Sequence, residues 1–358
     1  AREFVGIKRQ SLAAEGVDAF YRGPIAADLV HRVRGHSTNP GVISEADLSR
    51  YQAKTRAAIC TDWKTAYRVC GFPPPSSGHL AVMQLLKLVD LAPPPARTLA
   101  DGVPAAEFLH VYTEAARLAF ADRAQFVGDP DFVSPPAGDW RRLLDDDYLR
   151  ARARLIGERS MRTAAPGQPG AQPSVYAPMA AQPEAGTSHL SIVDAQGRAV
   201  AMTTTIESVF GSRLLADGGT GLPGGYLLNN ELTDFSFVPT DTQGRPVANR
   251  VQPDKRPLSS MSPTLVFDRR DGRVIMSAGS SGGAGIIHHT AKTLIATLDW
   301  GLDAQRAIAL PNFGSYNGPT LLERGKFPAS TIDALVARGH VVNEVDLTSG
   351  LQALQRTS

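Results

Sequence analysis

The pattern of this chain breaks once, and the break divides what each part can fold into. From about Gly157 to Gly186 the composition shifts, and MRTAAPGQPGAQPSVYAPMAAQPEAG is filled with Pro, Gly, Ala and Gln, with no apolar periodicity. Such a stretch predicts a disordered linker or mobile loop, not a helix or strand. The part before it, to about residue 160, reads as mainly helical. SLAAEGVDAFY and PIAADLVHRVRG carry apolar residues at helical spacing, and Ser44 with Asp47 makes a capping-box start for ISEADLSRYQ. The loop PPPSSG (73–78) leads into the apolar helix HLAVMQLLKLVDL, and AAEFLHVYTEAARLAFADRAQFVGD runs on until Pro130 stops it. After the break the period becomes two. SHLSIVD, AQG and RAVAMTTTI read as a hairpin, TLVFD-RRDG-RVIMSAG as a second, and GAGIIHHTAKTLIATLDWG as an amphipathic helix.

Charge and composition narrow the function. Among 358 residues, 37 Lys and Arg against 35 Asp and Glu leave +2, too little to build a nucleic-acid field. Arg150, Arg152, Arg154 and Arg159, beside Asp145, Asp146 and Asp147, read as a solvated helix face. No run of 18 apolar residues occurs, so no membrane span is expected. The opening AREFVGIKRQ has no initiator Met and no signal-like apolar stretch, which puts any targeting segment outside it. Cys60 and Cys70 flank a third hairpin, ICTDWKTAYRVC, and could face each other across it; two free buried thiols are the expectation. They leave the compartment open. His31, His36, His79 and His110 have no ligand spacing, and His288 and His289 are adjacent on a helix, so no metal and no cofactor is expected.

The chemistry gathers where the linker meets the first hairpin. A cut between Gly186 and Thr187 would make Thr187 an N-terminal residue with a hydroxyl and its own α-amine. That amine titrates near 7.7–8.0 and can take the hydroxyl proton without a histidine. Gly186 tolerates the strained backbone that attack on its carbonyl needs. A turn centred on Ala195–Gln196 places Thr205 beside Thr187, with Thr203 and His189 on the same face. Threonine is also simply a favoured strand residue. GSSGG (279–283), just ahead of a helix, offers backbone N–H groups to a phosphate or an oxyanion, or is a plain tight turn. Glu231 and Asp234 in NNELTDF suit a substrate ammonium, and Ser259 and Ser260 in KRPLSSMSP suit a carboxylate. Alone, each would be an exposed turn; together they would grip both ends of an α-amino acid.

TSHLSIVDAQGRAVAMTTTI, GGYLLNNELTDFS, KRPLSSMSPTLV and GSSGGAGII, in that order, resemble the small subunit of γ-glutamyltranspeptidases. EGVDAFYRGPIA, the PPPSSG loop and ARLAFADRAQFVGDPDF resemble the later part of the family's large subunit, so the likeness covers about residues 11 to 350. The resemblance implies an α+β fold, the αββα sandwich of N-terminal-nucleophile hydrolases. It also implies a precursor that cleaves itself, with residues 1–160 and the linker 161–186 in the large subunit and 187–358 in the small one. Thr187 would then form a γ-glutamyl ester, Thr205 would contact its new amine, and Thr203 would assist processing. Gly282 and Gly283 would form the oxyanion hole. Glu231 and Asp234 would hold the α-amine, and Ser259 and Ser260 the α-carboxylate. Partners would be a small γ-glutamyl substrate and water or an amine as acceptor; the family resemblance points to the periplasm or secretion.

This chain departs from the family pattern at several points. Glu207 stands where the family usually has an Asn that touches substrate, and its added charge suits an ammonium but alters the site. The loop ADGGTGLPGG (216–225) is longer than usual, and the lid segment between Ser236 and Lys255 is short and lacks Tyr and Trp. Nothing here resembles the family segment whose Arg pairs with the substrate carboxylate, or its final strand. An acylase of the same fold, acting on a glutaryl or cephalosporin-type amide, is therefore the alternative enzyme. An unprocessed, non-catalytic chain is the alternative from another class.

Overall fold

The computed structural model describes residues 10–184 and 186–357; the opening segment AREFVGIKR lies outside them. The chain forms two compact units. One takes the residues up to Arg56 with Ile206–Glu231, the other Ala57–Thr205 with Leu232–Ser358.

In the smaller unit, helix α1 (Gly23–Arg34) starts with a proline in its first turn, where the missing N–H costs nothing. Helix α2 (Glu45–Arg50) starts at the predicted capping box, with both Ser44–Asp47 bonds formed. The long loop 216–225 joins two short paired strands, Leu215–Ala216 and Tyr226–Leu227. It is tied to α1 by Asp28, whose carboxylate accepts the Gly218 N–H at 2.7 Å.

The larger unit is a layered sandwich. Strands β1 (Ile59–Trp63) and β2 (Tyr67–Gly71) form the third hairpin, with Ile59, Thr61 and Trp63 buried and the residues between them exposed. Helix α3 (Gly78–Leu91) follows, then α4 (Ala106–Phe126) and α5 (Asp146–Ala153). Past the linker come β3 (Ser188–Val193), β4 (Ala199–Thr204), β5 (Thr264–Asp268), β6 (Val274–Gly279) and helix α6 (Gly285–Leu298). An edge strand, β7 (Gln352–Gln355), completes a five-stranded sheet in the order β1-β2-β5-β6-β7, antiparallel at every pairing.

Strand alternation sorts the two faces of that sheet. Val69, Val266, Met276 and Ala278 face the helices and share one core with Leu80, Leu85, Phe108, Tyr112, Ile287 and Leu294. Ser277 and Gly279 face the other way, onto the β3–β4 hairpin: Ser277 donates to Ser191 Oγ at 2.8 Å, and a side chain on Gly279 would collide with the His189 ring. Helices, sheet and second sheet layer thus stack as the α+β sandwich anticipated. On the far face of the hairpin, Leu190, Ile192, Val200 and Met202 are exposed, Ile192 at 56%.

Three expectations are corrected. Cys60 and Cys70 are not free thiols but a disulfide, because the β1–β2 register sets them directly opposite one another. Arg152 does not lie on a solvated face: it is buried, and its guanidinium bonds Asp122 at 3.2 Å. The segment 161–186 has neither helix nor strand, but it is anchored rather than loose. Its backbone polar groups have no ladder of their own, so buried ionic side chains and neighbouring loops supply partners. Glu114 accepts the Met161 N–H at 2.8 Å, Arg117 donates to the Arg162 carbonyl at 2.9 Å, and Arg152 donates to the Ala165 carbonyl at 2.9 Å. Further along, the Met179 N–H bonds the Ala124 carbonyl, and Gln182 donates to the Thr233 and Phe235 carbonyls.

Asp122 is the centre of this anchoring. Fully enclosed, it accepts from Tyr148 at 2.6 Å, Gln84 at 2.9 Å and the linker amide of Gly167 at 2.8 Å, besides Arg152. Asp122→Ala leaves Arg152 buried without its partner and should cost about 3–5 kcal/mol, read as a lowered denaturation midpoint. A midpoint shift worth less than about 1 kcal/mol would show the cluster to be dispensable.

Candidate active site

The β3–β4 ladder pairs Ser188 with Thr204 and His189 with Thr203, so one step further the same register sets Thr187 opposite Thr205. This is the register expected from the turn. Pairing stops there because the backbone leaves the strand: Gly186 has φ 87° and Thr187 φ 92°. A β-branched residue in that region is strained by roughly 1–3 kcal/mol. The strain sits at the bond expected to be cut.

The scissile carbonyl is held. The Gly282 N–H donates to the Gly186 carbonyl oxygen at 3.1 Å. Gly282 and Gly283 have φ 123° and 55°, conformations that side chains rarely adopt, and they turn the chain into α6, whose first amides, of Gly285 and Ile286, bond the carbonyls of Gly282 and Gly283. His289 braces this turn from α6, its Nδ1 lying 3.2 Å from the Ser281 carbonyl; burial pulls its imidazole down to about 4.

Thr203 stands opposite His189 on the hairpin. Its hydroxyl lies 2.8 Å from His189 Nδ1, and His189 Nε2 lies 3.1 Å from Ser191 Oγ. Burial holds this imidazole down at about 4, so it is neutral at physiological pH. Thr203 therefore acts on the site through His189, by fixing the ring beneath the hairpin.

The two serines separate as well. The loop carrying them pairs with PPPSSG: the Ser77 N–H bonds the Ser259 carbonyl at 2.8 Å, and the Ser259 N–H bonds the Pro75 carbonyl at 3.1 Å. Ser259 turns its hydroxyl back to accept the Met261 N–H at 3.1 Å. Ser260 points instead at a cation and an anion that sequence reasoning missed. Arg123 Nη2 donates to Ser260 Oγ at 2.7 Å and to Glu184 Oε1 at 2.9 Å, and Ser260 donates to Glu184 Oε2 at 2.6 Å. Arg123 lies within ARLAFADRAQFVGDPDF, and Glu184 is the sole acid between residues 160 and 186, so both signals were legible.

Glu207 and Glu231 belong to the smaller unit. Glu207 is buried at φ 70°, and its carboxylate accepts from Ser208 Oγ at 2.6 Å and from the Asn230 amide. Glu231 and Asp234 bound a single 3-10 turn, with Asp234 counted in the larger unit. Among the described residues, His110, Glu114 and His340 come close enough to share a metal ion. Their donor atoms are committed elsewhere. His110 and His340 lie 2.7 Å apart, His110 also meets the Gly157 carbonyl, His340 meets Thr320, and Glu114 takes Arg117, Ser160 and Met161. Burial pulls His340 down to about 3 and lowers His110 as well, so the two imidazoles read as a neutral hydrogen-bonded pair within the core.

The family model for gamma-glutamyltranspeptidase matches residues 9–358. The glutathione hydrolase proenzyme of Pseudomonas sp. strain A14 is 35% identical over 308 residues, covering 84% of this chain and 49% of that protein. That of Escherichia coli K12 is 34% identical over 339 residues, covering 93% and 54%. The acylase ACY 1 proenzyme of Pseudomonas sp. strain V22 is 30% identical over 347 residues, covering 96% and 55%. Among solved structures, a cephalosporin acylase from Bacillus halodurans superposes with TM-score 0.75 at 25% identity, covering 94% of this chain and 54% of that one. The chain spans about half the length of the curated relatives it matches.

Proposed function

Since this chain belongs to the gamma-glutamyltranspeptidase family, we propose that it cleaves itself between Gly186 and Thr187 and then transfers γ-glutamyl groups from glutathione or related amides. One observation carries the reading: the Gly282 amide already sits on the carbonyl that Thr187 would attack, beside a Thr187 backbone strained at φ 92°.

In processing, Thr187 Oγ attacks the Gly186 carbonyl carbon and the oxyanion takes the Gly282 N–H. The hydroxyl proton passes to the leaving nitrogen as the C–N bond breaks. The resulting ester is hydrolysed by one water, giving a Gly186 carboxylate and a free Thr187 amine. Turnover repeats the chemistry on a γ-glutamyl amide. The Thr187 amine takes the hydroxyl proton, the acyl group passes to Oγ, the amine product leaves, and water or an amine accepts the acyl group. Gly282 and Gly283 stabilise the oxyanion, a contribution of about 10²–10³ in rate per donor. Ser259, Ser260, Glu207, Glu231 and Asp234 are assigned to the donor's charged ends by family resemblance. Large and small subunits would come from this one precursor, as the proenzyme names of the relatives suggest. No helix among the described residues is long and apolar enough to cross a membrane.

The similarity to acylases supports one second reading, an acylase acting on a glutaryl-type amide. Intact mass spectrometry followed by parallel assays on glutathione and a glutaryl amide separates the two, since only glutathione carries an ammonium. Preferential cutting of glutathione is expected; the reverse preference would select the acylase. A chain that stays whole and inert would be the non-catalytic member.

The pH profile follows from the base. A protonated α-amine cannot accept the hydroxyl proton, so the rate should rise through about pH 7–8 and level off above it. A profile flat from pH 5 to 9 would rule this amine out. Thr205→Ala should slow turnover about 10–10²-fold by loosening the amine it faces, measured as kcat on the processed enzyme.

A further inference from the structure

A buried cation stands beside the segment that leads to Thr187. Arg123, in the last turn of α4, and Glu184, three residues before Thr187, are both nearly enclosed, at 10% and 12% side-chain exposure. The hydrogen bonds around them run in one direction. Arg123 Nε donates to Ser77 Oγ at 2.8 Å, and Ser77 passes its own proton to the Ser259 carbonyl at 2.8 Å. Arg123 Nη2 donates to Ser260 Oγ, so the Ser260 proton must go to a further acceptor. The pocket is therefore wired to present one guanidinium N–H and one hydroxyl to the same anion. A neutral group would leave a buried cation unpaired, an expensive arrangement. The occupant is the Glu184 carboxylate, held at 2.9 and 2.6 Å. Its charge, after burial, helps push the nearby Tyr316 phenol up to about 12.

We propose that Arg123, Ser77 and Ser260 form the subsite for the donor's carboxylate, and that in the uncut chain the side chain of Glu184 fills it as an internal plug. The proposal rests on the γ-glutamyl reading above and adds a residue and a regulation to it. The plug and the cleavage site share one segment. Glu184 passes over the oxyanion turn so closely that a side chain on Gly283 would strike its backbone carbonyl, and two residues on, Gly186 occupies the Gly282 N–H. While Glu184 and Gly186 lie there, donor carboxylate and donor carbonyl are both excluded. Cleavage converts Gly186 into a free chain end bearing a second carboxylate, and two like charges on one tail favour its departure. The site thus opens only after the nucleophile has been made.

The test uses the uncut Thr187→Ala chain, with and without Glu184→Gln, titrated calorimetrically with L-glutamate and with glutarate. With the plug in place the apparent affinity is reduced by the fraction of open sites, so Glu184→Gln should tighten both ligands at least tenfold. Adding Arg123→Lys should remove that gain, since an ammonium cannot hold Ser77 and Ser260 from the fixed guanidinium fork while donating to the ligand. Equal binding by Thr187→Ala and Thr187→Ala/Glu184→Gln overturns the plug. If the double variant does not fold, peptides decide. The tail peptide Gln-Pro-Glu-Ala-Gly should bind the processed enzyme at least tenfold more tightly than Gln-Pro-Gln-Ala-Gly, and equal binding overturns the proposal. The two readings fail separately. A processed enzyme that leaves glutathione intact, while carboxylate binding still responds to Glu184→Gln, sinks the γ-glutamyl reading and keeps the plug. Glutathione cleavage with unchanged carboxylate binding does the opposite.

Discussion

Replacing Thr187 by alanine is expected to give a single uncut chain with no detectable glutathione cleavage, a loss of at least about 10⁴-fold. The size of the effect comes from one atom serving twice. On the proposed mechanism the hydroxyl would attack Gly186 to liberate the α-amine, and the same hydroxyl, with that amine as base, would carry the acyl group in turnover. Removing Oγ abolishes both steps and leaves no second base, because His189, the imidazole on the same hairpin, is committed to Thr203 and Ser191. Thr187→Ser keeps the hydroxyl and relieves the β-branched strain at φ 92°, so it should still cut. Intact mass spectrometry reads both variants. A Thr187→Ala chain that splits between residues 186 and 187 would falsify self-cleavage by this nucleophile.

The second large effect is expected at Gly282. At φ 123° an alanine is strained whatever space it has, and its Cβ would lie 2.9 Å from Cε1 of the His289 ring. That ring cannot yield easily, because it is buried and braced against the Ser281 carbonyl. The turn must shift instead, taking the Gly282 N–H off the Gly186 carbonyl that it now meets at 3.1 Å. Loss of such a donor costs about 10²–10³ in rate. The half-time for appearance of two chains after refolding should lengthen by that factor while the uncut chain keeps its melting temperature to within a few degrees. An unchanged half-time would mean that another donor polarises the scissile carbonyl.

Local patterning made much of this legible. The β3–β4 hairpin and its register, paired as far as Ser188 with Thr204, follow from alternation about a short turn, which depends on residues within about twenty positions. The Ser44 cap, the Gly-rich turn before α6 and the long helix α4 were readable for the same reason. The Cys60–Cys70 misreading is local, a cross-strand pair within one hairpin, but the other two concern contacts distant in sequence. Arg152 looked solvated because its neighbours in sequence are acidic, whereas its partner is Asp122, thirty residues away on α4. Composition marked 161–186 as loose, yet it is tied down by side chains of Glu114, Arg117 and Asp122 that no local rule connects to it.

The sequence by itself pointed to the proposed nucleophile, the bond it would attack and the Gly-rich turn, because each is a local requirement: a hydroxyl beside a future amine, a glycine carbonyl, amides at a helix start. Only the tertiary structure decided which charged groups surround them. It bonded Thr203 to the His189 ring, turned Ser259 back on its own loop, and brought Arg123, Ser77, Ser260 and Glu184 together from four separate stretches of chain. Burial is the physical reason. A cation removed from water requires an anion within hydrogen-bond reach, and which anion it finds is set by how helix, sheet and linker pack rather than by the residues beside it in sequence.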